Sequence, residues 1–294
     1  MNPSVTDTCD AISLDASATT CQNLPNFPAT VFAAIGGLGL NRKPIICGGA
    51  QNNTDSDKCY SLENREWVSS ASMNSLRFYT AAVQWQDDKL LVTGGYSLSV
   101  SLNNAEMLTE EGWKRKQPSL PVGMSYHCMI TVNSTTLMVV GGIQNGLISG
   151  NTFFFNFRGE SWIEGPELNY KRIYHSCGIV RRGIDSQEMS VIVAGGHDGL
   201  SYLSSVEILD EDSNEWQTGP ELPLGIQLSQ MVRDPNGGVV LVGGDSPSKG
   251  YLDTLYQLPH GGREAEWTKM QQKLKIGRQQ HTAFLVPDNI FDCS

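Results

Sequence analysis

Three periodic features of the 294-residue sequence predict an all-β fold built from repeated four-stranded units. First, five double-glycine pairs recur at Gly48-Gly49, Gly94-Gly95, Gly141-Gly142, Gly195-Gly196 and Gly243-Gly244, spaced 46, 47, 54 and 48 residues apart. Second, each pair closes a short apolar run, such as Pro-Ile-Ile-Cys before Gly48 or Val-Ile-Val-Ala before Gly195. Third, each pair is followed 18 to 23 residues later by a tryptophan: Trp67, Trp113, Trp162, Trp216 and Trp267. A strand, two glycines and a late tryptophan at a period near 50 residues are the signature of a β-propeller, whose units cannot bury their apolar faces alone.

The fourth unit shows the elements in order. Tyr174 to Val180 reads as a first strand, and Met189 to Ala194 as a second that ends in Gly195-Gly196. The turn His197-Asp198-Gly199 follows. Ser205-Val206-Glu207-Ile208-Leu209 alternates with period two, as a half-buried third strand should. A polar turn at Asp210 to Asn214 leads to Glu215-Trp216, the start of an outer strand. The glycines mark positions that need positive φ or close backbone approach. The tryptophans supply large apolar plates between units, each with an N–H that needs an acceptor. Both sets are structural.

Gly195-Gly196-His197-Asp198-Gly199, then Ser205-Val206-Glu207, then Asn214-Glu215-Trp216, closely resembles the kelch repeat, and the resemblance runs the length of the chain. WD40 propellers fit less well, since their Trp-Asp dipeptide is missing and the period here is long for them. The resemblance implies a protein-binding module; kelch propellers serve as substrate-recognition parts of ubiquitin-ligase adaptors, as actin-associated proteins and as extracellular domains. The repeats leave no room for a BTB-like helical region.

Alignment of the termini predicts six blades. Arg278 to Val286 matches the first strands at Arg172…His175 and Met124…His127, while Cys9 to Leu14 matches the third strand at Cys59 to Leu62, and Leu24-Pro25 parallels Leu120-Pro121. The expected domain is a single propeller over 1–294, with blades at roughly 29–70, 76–117, 124–166, 172–220, 226–271, and a sixth divided between 278–294 and 9–28. Dividing one blade between the termini covers strand edges that would otherwise be unpaired. Cys47 ends a second strand and Cys59 opens the following third strand, which brings them within disulfide range. By the same register Cys293 should pair with Cys9. The two bridges, Cys47–Cys59 and Cys9–Cys293, are worth roughly 3 and 5 kcal/mol in the chain-entropy account. Cys128 and Cys177 are expected to point to opposite strand faces and not to pair; with Cys21 they read as small buried residues.

The formal net charge of −10 argues against nucleic acid, which requires a basic stripe. No apolar run is long enough to span a bilayer, and the N-terminus shows no signal peptide. The inferred bridges, with the sequons at Asn52 and Asn133, point to a secreted or extracellular protein, with a cytoplasmic one as the alternative. A monomer is expected.

Enzyme signals are thin. No nucleophile elbow, phosphate loop, sialidase-type Asp-box or glycosidase carboxylate pair is convincing, and no cofactor or metal is implied. His127, His175 and His281 share one register, but Thr80, Ser229 and Val31 fill it in the other units, which speaks against a metal ring. The more suggestive constellation precedes several first strands: Arg77 with Tyr79, Tyr126, Arg172 with Tyr174, and Arg278. Arg and Tyr at the crossover from one blade to the next would rim one end of the channel with hot-spot residues. Alternatively, the Arg stems pack on the neighbouring blade and pair with its carbonyls or acids. The polar loops at Gln51 to Lys58, Ser97 to Asn103, Gly146 to Asn151 and Ser246 to Tyr251 form a second candidate surface. The function expected is protein binding without catalysis; the alternatives are a carbohydrate-active or isomerase-type enzyme at the channel mouth, or an intracellular adaptor.

Overall fold

The computed structural model describes residues 7–14, 21, 23–51, 54–85, 89–210, 212–287 and 290–291. It is an all-β architecture of five four-stranded antiparallel sheets, each a simple meander in chain order. The first comprises Ile35–Leu38, Pro44–Cys47, Cys59–Glu63 and Glu66–Ser70. The second comprises Ala81–Trp85, Lys89–Thr93, Ala105–Thr109 and Gly112–Lys116; the third, Cys128–Asn133, Thr136–Val140, Thr152–Asn156 and Ser161–Glu164. The fourth comprises Ser176–Arg181, Met189–Ala194, Val206–Asp210 and Glu215–Thr218; the fifth, Gln230–Arg233, Val239–Val242, Thr254–Leu258 and Thr268–Lys273. The first strand of each sheet lies against the first strand of the next. The second strands are the most apolar and the most buried, with Val139, Ile192, Val193, Val239 and Val240 fully enclosed.

Two repeated devices join successive sheets. Each glycine pair turns with positive φ, 58° to 68° at the first glycine and 83° to 105° at the second. The second glycine donates its N–H to a carbonyl on the chain entering the next sheet: Gly49 to Arg77, Gly95 to Met124, Gly142 to Arg172, Gly196 to Ile226 and Gly244 to Arg278, all at 2.8–2.9 Å. A Cβ on Gly48 would lie 2.6 Å from the Arg77 carbonyl oxygen, so the approach excludes a side chain. The tryptophans form the second device. Trp113, Trp162, Trp216 and Trp267 donate Nε1–H to the carbonyls of Ala71, Pro118, Pro166 and Pro220 on the preceding unit, at 2.9–3.3 Å. Each plate is thereby sunk into the inter-sheet core with its polar atom satisfied.

The termini use the same devices. Trp67 donates to the Pro25 carbonyl at 3.2 Å, so Pro25 holds the place of Pro118, Pro166 and Pro220. Phe27 packs edge-on against Trp67 and Tyr60. Ile12, Leu14 and Ala283 pack on an apolar cluster with Val240, Val242 and Leu255 of the fifth sheet. Phe284 and Thr282 abut Gly36 of the first sheet.

Cys47 and Cys59 lie directly opposite in register and are bridged, with Cα atoms 4.1 Å apart. Two cysteine expectations need correction. Cys9 is a free thiol, half-buried, with Sγ at the Asp7 carbonyl, and burial pushes its pKa up. It therefore makes no bridge to Cys293, which lies outside the described residues; Cys21 is disulfide-bonded instead. Cys128 and Cys177 do pair, with Cα atoms 6.0 Å apart. They do point from opposite faces of equivalent strands. But those strands belong to adjacent sheets, so the forward face of one and the backward face of the next share a single interface.

Candidate functional site

The crossovers into each sheet gather at the end where second and third strands connect. At each of these five crossovers, and again after the fifth sheet, one residue adopts left-handed backbone: Ala33, Tyr79, Tyr126, Tyr174 and Leu228, then Gln280, with φ between 49° and 58°. These residues link through their main chains. Tyr79 N–H donates to Ala33 at 3.2 Å, Tyr126 to Tyr79 at 2.9 Å, Leu228 to Tyr174 at 2.8 Å, Gln280 to Leu228 at 3.2 Å and Ala33 to Gln280 at 2.9 Å. Tyr126 and Tyr174 meet through their rings, edge to face with centroids 5.0 Å apart. Tyr79 stacks on Tyr126 at 4.1 Å, and Phe78 and Tyr96 join the cluster. The three phenols are half-buried, and burial raises the pKa of each. Neighbouring phenols disfavour ionisation of Tyr79 and Tyr126 further, so the cluster is neutral.

The arginines of the same segments lie beneath this surface. Arg77 and Arg172 are fully buried. Arg77 donates to the Gly94 carbonyl at 2.7 Å and to Glu106 Oε1 at 2.5 Å; Arg172 donates to the Gly195 carbonyl at 2.7 Å and to Glu207 Oε1 at 2.6 Å. Burial alone would raise the Glu106 pKa, but the Asn74 N–H groups and the Arg77 guanidinium outweigh it and hold the carboxyl below its usual range. Arg278 is half-buried and pairs with Asp10 at 2.7 Å, and Asp10 follows Cys9 as Tyr60 follows Cys59 at the position that Glu106 and Glu207 hold in their third strands. In the third and fifth sheets the corresponding partners are apolar: Met124 shares a cluster with Phe153, and Ile226 with Tyr256. Of the six sequence-selected residues, the tyrosines Tyr79, Tyr126 and Tyr174 therefore line the surface, while the arginines brace it.

The three register-sharing histidines also face inward. His175 donates Nε2–H to the Val140 carbonyl at 3.1 Å, and His127 Nε2 lies 3.0 Å from Thr93 Oγ1, each reaching the preceding sheet. Desolvation lowers the pKa of His127, His175 and His281 to about 3, so all three are neutral. In the first sheet this register falls on Ala34, one residue past Ala33, and not on Val31. Among the described residues no group of three or more His, Cys, Asp or Glu side chains could hold a metal.

Around the tyrosines stands a palisade of short hairpins between second and third strands, each bridged at its base to its own crossover: Phe32 to Ala50, Phe78 to Tyr96, Met124 to Gln144, Ile173 to His197 and Gln227 to Asp245. The tip residues Leu98-Ser99 and Asn145-Gly146 all have positive φ, the backbone of a two-residue hairpin turn. Asp198 Oδ1 accepts the N–H groups of Leu200 and Ser201 at 2.7 and 2.8 Å, which fixes the fourth tip. Neighbouring hairpins touch: Leu98 N–H donates to Asp55 at 3.2 Å, and Tyr202 OH to Asp245 at 2.9 Å. These hydrogen-bonded tips carry the most exposed large apolar side chains among the described residues, Leu200 at 92%, Leu98 at 80% and Leu147 at 73% exposed. Val100 shares the hairpin of Leu98, and Tyr251 lies on the fifth hairpin. The sequence marked the loops of Leu98 and Leu147 by their polarity and that of Leu200 only as the turn His197-Asp198-Gly199; the apolar tips were missed, although each sits beside a turn-forming Gly or Ser.

The kelch motif matches residues 190–223, which span the second, third and fourth strands of the fourth sheet with their glycine pair and tryptophan. The chain carries a kelch motif at its fourth sheet. The kelch glycines anchor the crossovers, and the kelch hairpins stand around them. No helix among the described residues is long and apolar enough to cross a membrane.

Proposed function

We propose that this chain is a single six-bladed kelch propeller, closed by a blade divided between the termini, which binds a protein partner through the hairpin face. The closed ring is supported by the five main-chain hydrogen bonds from Ala33 round to Gln280 and back, and by the Arg278–Asp10 and Trp67–Pro25 pairs. The binding reading is carried by one observation: leucines 73–92% exposed stand on hairpins held rigid by their own hydrogen bonds. Exposed apolar groups on preorganised loops lose little entropy on docking, and the neutral tyrosines behind them offer aromatic area at low cost. The binder acts as a monomer in an oxidising compartment, as a secreted protein or an ectodomain. The Cys47–Cys59 and Cys128–Cys177 bridges support that location, since cytosolic glutathione would reduce such pairs.

The test is capture of partners from extracellular fluid or cell surfaces on immobilised protein. Leu98→Asp with Leu200→Asp should lose the wild-type partner by at least about tenfold, because a charge would have to be desolvated at each anchor. Arg158→Glu, at a turn on the opposite end, should leave capture unchanged. Undiminished capture by a folded Leu98→Asp/Leu200→Asp protein would overturn the assignment of this face.

A further inference from the structure

We infer that Asn133 carries an N-linked oligosaccharide; this rests on the secretory reading above. Asn133-Ser134-Thr135 forms the turn between Cys128–Asn133 and Thr136–Val140. Asn133 and Ser134 are exposed. Asn133 Oδ1 accepts the Thr135 N–H at 3.0 Å and the Thr135 hydroxyl at 3.1 Å. The sequon hydroxyl thus holds the carboxamide by its oxygen, and Nδ2 has no protein partner among the described residues. Thr135 is itself fixed from behind, since its carbonyl accepts the Phe157 N–H at 2.9 Å. The turn joins first and second strands, at the opposite end of the sheet from the Asn145-Gly146 hairpin. A bulky glycan there leaves the apolar tips uncovered.

The reaction requires a polyprenyl-diphosphate-linked oligosaccharide and the transferase of the secretory lumen. The bond from the sugar's anomeric carbon to the diphosphate oxygen breaks, a bond from that carbon to Asn133 Nδ2 forms, Nδ2 gives up one proton, and the lipid diphosphate leaves. No oxidation or reduction occurs.

The chain, fused to a cleavable secretion signal, is made in cultured insect cells, and the secreted protein is treated with an amidase that releases N-glycans in heavy-oxygen water. Most wild-type chains should take the heavy-oxygen label at residue 133. The label should vanish in Asn133→Gln and Thr135→Ala and persist in Thr135→Ser. Secreted wild-type protein that is bare at residue 133 while its Cys47–Cys59 bridge is formed overturns the site and leaves the compartment reading standing. Reduced Cys47, Cys59, Cys128 and Cys177 in protein from its natural source overturn the compartment, and with it the modification.

Discussion

If the N-terminal segment completes the last blade, then the Asp10–Arg278 pair, although 268 residues apart in sequence, must hold the whole molecule together. Asp10 is 3% exposed in its side chain and Arg278 11%. Asp10 Oδ2 takes Arg278 Nη2 at 2.7 Å, and Nη1 donates to the Thr8 carbonyl at 2.9 Å. Asp10→Ala leaves the guanidinium with that carbonyl but without its counter-charge. Removing one partner of a buried pair costs about 3–5 kcal/mol, and the small exposure of Arg278 places this case near 3. In a chain of this size that corresponds to a fall in Tm of roughly 5 °C. Glu106→Ala, which strands the fully buried Arg77, supplies an internal reference near 5 kcal/mol. Urea titration followed by tryptophan fluorescence reads both, and Trp67, hydrogen-bonded to Pro25, reports the terminal segment. Adding Arg278→Met to Asp10→Ala removes the orphaned charge and should recover at least 2 kcal/mol, a coupling that independent sites would not show. A cost below 1 kcal/mol for Asp10→Ala, beside the full cost for Glu106→Ala, would mean that the terminal segment is an appendage and not part of the ring.

Two other outcomes follow from the same contacts. His127, His175 and His281 have folded pKa values of about 3 against about 6.5 unfolded, so the unfolded chain binds more protons below pH 6.5. Their contribution is complete above pH 6.5 and is lost as pH falls toward 3, at up to about 4 kcal/mol per pH unit for three protons. Acid titration by circular dichroism should show unfolding well above pH 3, made shallower by His127→Gln with His175→Gln; a stability unchanged from pH 7 to pH 5 would contradict the burial. The Cys128–Cys177 bridge spans 49 residues and Cys47–Cys59 spans 12, which in the chain-entropy account are worth about 4 and about 3 kcal/mol. Cys128→Ser/Cys177→Ser should therefore lower the thermal midpoint more than Cys47→Ser/Cys59→Ser, and calorimetry showing the reverse order would refute that ranking.

What the sequence revealed and what it hid divide along a physical line. The glycine pairs were legible because positive φ beside a carbonyl of the next unit admits one residue type, whatever the surroundings. The six left-handed crossover residues were not legible: Ala, Tyr, Leu and Gln share no chemistry, and main-chain bonds hold their geometry. The Cys128–Cys177 pair was misjudged because each strand was considered by itself, whereas a face pointing away from one sheet points toward the next. The arginines were ambiguous between surface and support, and the deciding signal lay in the third strand. Arg77, Arg172 and Arg278 pair with Glu106, Glu207 and Asp10, while Met124 and Ile226 share apolar clusters with Phe153 and Tyr256. A charged residue leading into a unit is matched by an acid in that unit's third strand, and an apolar one by an aromatic ring. A lone Arg on a recognition rim would need no such partner, so the matching alone marks these arginines as internal braces. On the proposed reading, binding at this end of the molecule falls to the exposed leucine tips, whose conformation is fixed by turns, and to the open side of the packed, neutral tyrosine cluster.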